Sequence, residues 1–194
     1  MCQNSLMLQI AQIPAADKLL SNDPLALLIA MLLDQQQPME RAFAGPYLIA
    51  QRLNVRKLSA KKIAALPAAH FVSIVTQKPA VHRFPKAMAE RIQKLCQVVV
   101  SDYGANASNI WNDVTDADEL FLRLKKLPGF GEDKAKIFIA LLGKQLAVRP
   151  RNWRKVSAPY GDPGTRMTVA DVRNQRSLLE VRAFKQEMKA AGIW

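Results

Sequence analysis

The sequence predicts an all-α protein, and three observations carry the prediction. Apolar residues recur at spacings of three and four. Proline or a capping residue stands where each periodic segment begins. No window alternates apolar and polar residues as a half-buried strand would. At 194 residues the chain is long enough to bury a sizeable core.

The elements follow in order. Asp23-Pro24 reads as a helix start, a cap followed by proline at the first helical position, where its missing N–H costs nothing. The run "PLALLIAMLL", Pro24 to Leu33, is too short to span a bilayer and predicts a buried helix, extended to about Gln37 and stopped before Pro38. A second helix is expected over "MERAF", closed by Gly45-Pro46, with "YLIAQRL" as another short piece. Ser59 caps "AKKIAAL". Pro85 opens a long amphipathic helix with Met88, Ile92, Leu95 and Val99 on one face, ended by Gly104. Thr115 or Asp116 caps "DELFLRLKKL", which carries acids in its first turn and bases in its last. Ser177-Leu-Leu-Glu180 predicts a capping box opening the final helix. The expected division is a core lobe over 24–144 and a second helical lobe formed by 1–23 and 145–194.

Charge narrows the partners. Lys and Arg number 28 against 16 Asp and Glu, a net charge of +12, which favours a polyanion. The excess is clustered: residues 51–100 hold ten basic residues and one acid, Glu90, and Lys134 to Gly161 hold seven and none. Two such stretches point to phosphate binding more than to a merely solvated face. Cys2 and Cys96 give no disulfide framework and exclude a four-thiolate iron–sulfur cluster. His70 and His82 are too scattered for a zinc site. No metal ligand set is expected. The N-terminal residues lack the pattern of a signal peptide, so a cytoplasmic, monomeric protein with no membrane partner is expected.

The most informative stretch is "LPGFGEDKAKIFIALLGK", Leu127 to Lys144. Gly129 and Gly131 make a tight turn between two helices. Glycine lets a phosphate approach the backbone, and the first N–H groups of the next helix point outward as donors to an anion. Lys134 and Lys136 add attraction, while Phe130 and Phe138 are placed to hold the two helices together. This is the pattern of a helix-hairpin-helix element, expected over about 118–143.

Here the chain resembles the helix-hairpin-helix (HhH-GPD) DNA glycosylase superfamily, relatives of endonuclease III and the alkyladenine-type glycosylases, and within it a subgroup of short bacterial proteins. "LPGFGEDKA" is similar to the family's Leu-Pro-Gly-hydrophobic-Gly hairpin. "AMLLDQQQP", Ala30 to Pro38, resembles its early buried helix ending in Leu-x-Gln-Gln, and "FPKAMAERIQKLCQ" its Lys-Ala-x-x-Ile helix. The resemblance spans about residues 20–150 and implies a two-lobed helical fold with double-stranded DNA across the cleft. It further implies that Gln35 or Gln36 enters the duplex where a base is flipped out, and that the hairpin turn holds a monovalent cation in some relatives.

Two chemical positions depart from the family pattern. Asp133 stands where bifunctional members carry a nucleophilic lysine. Lys134 is one residue later, turned about 100° around the helix axis and expected to face phosphate. Arg149 stands where the catalytic aspartate is expected, and a cation there opposes the positive charge developing on the sugar. An active enzyme must then draw its carboxylate from elsewhere: Asp34, Asp133 or Asp162, with Asp171 next in line. The resemblance thus implies a monofunctional glycosylase acting on a damaged or mismatched base, without Schiff-base lyase chemistry. The residues expected at DNA are Gln35, Gln36, Gly129, Phe130, Gly131, Lys134, Lys136 and Arg149. The alternatives are a non-catalytic binder of DNA structure or damage, and a basic protein–protein module.

Overall fold

The computed structural model describes residues 7–193, and among them the regular structure is helical, without a strand. The helices are α1 (Pro14–Asn22), α2 (Pro24–Leu33), α3 (Met39–Arg52), α4 (Ala60–Ala65), α5 (Ala68–Thr76), α6 (Pro85–Asp102), α7 (Ala117–Lys125), α8 (Glu132–Gln145), α9 (Trp153–Val156) and α10 (Gln175–Ala190). Short 3-10 turns at Ala107–Ile110 and Val169–Asp171 join the later helices.

α2 is the central helix, with every residue from Leu25 to Leu33 buried. Its start is fixed by the buried Asp23. One carboxylate oxygen accepts from the N–H groups of Leu25 (3.0 Å) and Ala26 (3.2 Å), and the other accepts from Leu58 N (2.7 Å). A single cap therefore satisfies two orphan donors and ties α2 to the segment before α4. Around α2, α1 packs on α2 and α3, α4 and α5 pack on α6, and α7 packs on α8. The 3-10 turn at Val169–Asp171 packs on α8 and α10. One contiguous apolar core runs from Leu8 to Val181.

The local start signals hold: Ser59 caps α4, Pro85 opens α6 and Asp116 caps α7. Three boundaries differ. α2 stops at Leu33 rather than near Gln37, because side chains of the following turn take over its last carbonyls. Gln35 Nε2 donates to Leu32 O (2.7 Å) and Gln37 Nε2 to Leu33 O (3.1 Å). α3 is one helix with Pro46 inside it, not two pieces. Leu33 Cδ1 lies 2.6 Å from where a Cβ on Gly45 would be, so α2 is seated closely on α3 beside the proline. α10 opens a turn earlier than the Ser177–Glu180 box. Asn174 accepts from Ser177 N (2.9 Å) and the Ser177 hydroxyl accepts from Asn174 N (3.0 Å), a reciprocal pair that uses Ser177 from the other side.

No helix among the described residues is long and apolar enough to cross a membrane.

Candidate nucleic-acid interface

The turn between α7 and α8 is seated on the end of α2. Gly129 has φ +81°, and a Cβ there would collide with the Leu32 side chain. Glycine is required both for the left-handed backbone and for the close approach. Gly131 is the opposite case. Its φ is −88°, it is exposed, and a Cβ would meet nothing within 4 Å. Among the described residues the N–H groups of Gly131, Glu132, Asp133 and Lys134 find no protein acceptor, since the first helical bond is Ala135 N to Gly131 O. Glu132 leans away from these donors onto Lys136, 2.8 Å from its Nζ.

Phe130 does not belong to this exposed face. Its side chain is buried and meets Phe138 edge-on, with ring centroids 6.1 Å apart, so it anchors the hairpin from below. Lys136 is likewise engaged, paired with Glu132 along the helix.

Lys134 overturns the expectation that it faces phosphate. Its Nζ turns inward and donates to Met31 O (2.7 Å), Leu32 O (3.3 Å) and Asp34 O (3.1 Å). These are the carbonyls left open where α2 ends, and a cation suits the negative end of a helix. Burial pulls the amine down to about 8, with Arg91 and Lys185 adding to the fall and Asp34 opposing it.

Asp34 is the C-cap of α2 and is half-buried. Burial pushes its carboxyl above the usual carboxylate range. The Lys185 and Lys134 ammonium groups pull it back, and Glu40 adds to the rise. Lys185 comes from α10, which also pairs Arg182 with Glu40 of α3. Three distant segments thus meet at this acid.

The glutamines divide. Gln35 is held on both sides of its amide, donating to Leu32 O and accepting from Arg91 Nη1 (3.1 Å). Its backbone carbonyl faces His82 Nε2 at 2.8 Å. His82 Nδ1 accepts from Phe84 N (3.0 Å), so Nε2 carries the proton and the ring is neutral, in line with a pKa lowered by burial. Gln36 is exposed, with φ +52° and no side-chain hydrogen bond among the described residues. Arg83, stacked on Phe84 at 4.8 Å, and Arg91 are exposed beside this turn.

The other expected residues lie elsewhere. Asp133 is exposed, with the Tyr160 hydroxyl 3.4 Å from its Oδ1. Asp162 sits in the exposed loop after α9. Arg149 donates through Nε to Gly143 O (2.9 Å), at the far end of α8 from the hairpin. Asp171 is committed to structure: Oδ1 pairs with Lys144 (2.6 Å), and Oδ2 accepts from the N–H groups of Met167 and Thr168. Cys96 is buried in α6 and its thiol is pushed up to about 12, while Cys2 lies outside the described residues.

Sequence reasoning missed His82, Arg83, Arg91 and Lys185. The two arginines lay within a basic stretch, but nothing in their spacing tied them to the glutamine turn. No family model, curated protein or solved structure matches this chain.

Proposed function

We propose that this protein binds double-stranded DNA through the hairpin turn and hydrolyses the N-glycosidic bond of a damaged or mismatched base, with Asp34 as the carboxylate. The observation that carries the reading is the seating of the hairpin on the end of α2. It gathers an open helix N-terminus, an exposed Gln36, two exposed arginines and the half-buried Asp34 at one place. Asp162 lies outside that setting, and Asp133, though in the first turn of α8, is exposed rather than half-buried.

The chemistry follows from the side chains. The backbone donors of Gly131 and the start of α8 hold a phosphate, while Arg83 and Arg91 attract its neighbours. Gln36 fills the space of the displaced base. As the C1′–N bond breaks, its electron pair leaves with the base, which takes up a proton from solvent, and the Asp34 carboxylate stabilises the positive sugar. Water then forms the C1′–O bond and gives its proton to that carboxylate. Lys134 spends its donors on three carbonyls, which supports a monofunctional reaction. No step requires a cation in the turn.

A second reading, a binder of damaged DNA without excision, draws on a specific feature. Lys134 and Lys185 both act on Asp34 and offset the negative field it would offer the sugar. The test is an excision assay over duplexes containing uracil, hypoxanthine, alkylated purines, 8-oxoguanine and mismatches, with alkali to reveal abasic sites. Release of a base from one of them supports the enzyme. Preferential binding of a damaged duplex without release replaces it with the binder.

A further inference from the structure

A second concave basic site lies at the opposite end of α8, in a cavity of about 290 Å³ between that helix end, α9 and the loop over residues 161–173. Four cations line it, Lys144, Arg149, Arg154 and Arg173, against one acid, Asp171. That acid is already matched, since Lys144 pairs with it at 2.6 Å and Thr165 donates to it at 3.0 Å. The three arginines have no carboxylate partner among the described residues.

Each arginine is instead positioned by one neutral contact. Arg149 Nε donates to Gly143 O (2.9 Å) and Arg173 Nη2 to Lys144 O (3.1 Å). Arg154 lies over the Trp153 ring at 4.5 Å. A guanidinium has five N–H donors, so a single backbone bond leaves most of the fork unused. Capping the end of α8 accounts for one donor on each of two arginines and for nothing of Arg154. Two glycines shape the opposite wall. Gly161 has no room for a Cβ beside Ser157 and Arg154, and Gly164 turns with φ +74°.

We propose that this cavity is a phosphomonoester site, separate from the hairpin. Planar guanidinium forks match phosphate oxygens, and three uncompensated cations in one concavity favour a dianion over the single charge of a backbone diester. A terminal phosphate is that dianion near neutral pH. It arises either at the 5′ end of a broken DNA strand or on a free mononucleotide. The assignment stands whether or not the protein excises a base, because the site shares no residue with the Asp34 cluster.

The test is calorimetric titration of the full chain with inorganic phosphate at low salt. One saturable site is expected, weakened at least about tenfold in Arg149→Gln/Arg173→Gln. Arg154→Gln serves as the second variant, because that side chain caps no backbone group and its loss leaves the helix end intact; it too should weaken phosphate. Nicked duplexes bearing a 5′-phosphate or a 5′-hydroxyl identify the source. A preference for the phosphorylated nick that disappears in Arg154→Gln assigns a DNA end. Displacement of phosphate by a nucleoside 5′-monophosphate, with no effect of nick phosphorylation, assigns a free phosphoester. Absence of saturable phosphate binding, or binding unaltered in both folded variants, overturns the proposal.

Discussion

Lys134 makes a quantitative test of the hairpin's seating on α2. Replacing it with Met keeps the length of the side chain and removes the ammonium that meets Met31 O, Leu32 O and Asp34 O. Burial lowers the amine from 10.5 to about 8 in the folded protein. At about 1.36 kcal/mol per pH unit, that fall is worth roughly 3 kcal/mol. Below about pH 8 the amine is charged in both states and the folded protein bears the whole cost. Between about 8 and 10.5 the unfolded chain keeps a proton that the folded chain has released. The unfolding free energy therefore rises with pH across that window. The wild type should gain up to about 3 kcal/mol relative to Lys134→Met between neutral pH and pH 10.5. Urea unfolding followed by circular dichroism measures it, and titrations common to both proteins cancel in the difference. Parallel stability curves would refute the inward lysine. The same variant separates the two orientations at DNA. An outward Lys134 would change the slope of log affinity against log salt by about one, whereas the inward one leaves it unaltered.

Other outcomes follow from the same geometry. Gly131→Val should fold normally, since a Cβ there meets nothing, yet bind duplex DNA more weakly; Gly129→Val should lose stability by over about 2 kcal/mol from the collision with Leu32 and the left-handed backbone. Full DNA affinity in folded Gly131→Val would remove the turn from the interface. If a base is excised, Asp34→Asn should slow single turnover at least about a hundredfold, or 2.7 kcal/mol, while Asp133→Asn and Asp162→Asn change it little. The acid limb of the pH–rate profile should then lie above 3.8, in the direction burial moves Asp34. A limb at or below that value would exclude Asp34 as the working carboxylate. Borohydride should trap no adduct at Lys134, and a mapped adduct there would show that the amine leaves the α2 carbonyls.

The parts of this molecule that were readable in the sequence are those decided within one turn of helix. Asp23, Ser59 and Asp116 each accept from an N–H two or three residues on, so a short window contains both partners. The left-handed turn at Gly129 belongs to the same class, although its seating on Leu32 does not. The direction of Lys134 could not be read so, because its acceptors lie about a hundred residues away. The end of α2 depends on glutamine side chains folding back, and the same letters would continue a helix elsewhere. Pro46 usually breaks a helix, yet α3 continues through it with distant Leu33 and Val81 packed close to Gly45. The surroundings of Asp34 were equally out of reach, because Lys185, which acts on it, comes from α10 at the other end of the chain.

The long reach of those contacts has a kinetic consequence. α7 and α8 are neighbours in sequence and can pair by closing a short loop. The Lys134–Met31 bond spans 103 residues and the Arg182–Glu40 pair spans 142. Contacts of that separation carry the larger loop-closure entropy and tend to form after local ones. The hairpin should therefore mature before the Asp34 cluster closes. If the protein binds DNA as proposed, refolding should restore duplex affinity before the enclosed setting of Asp34.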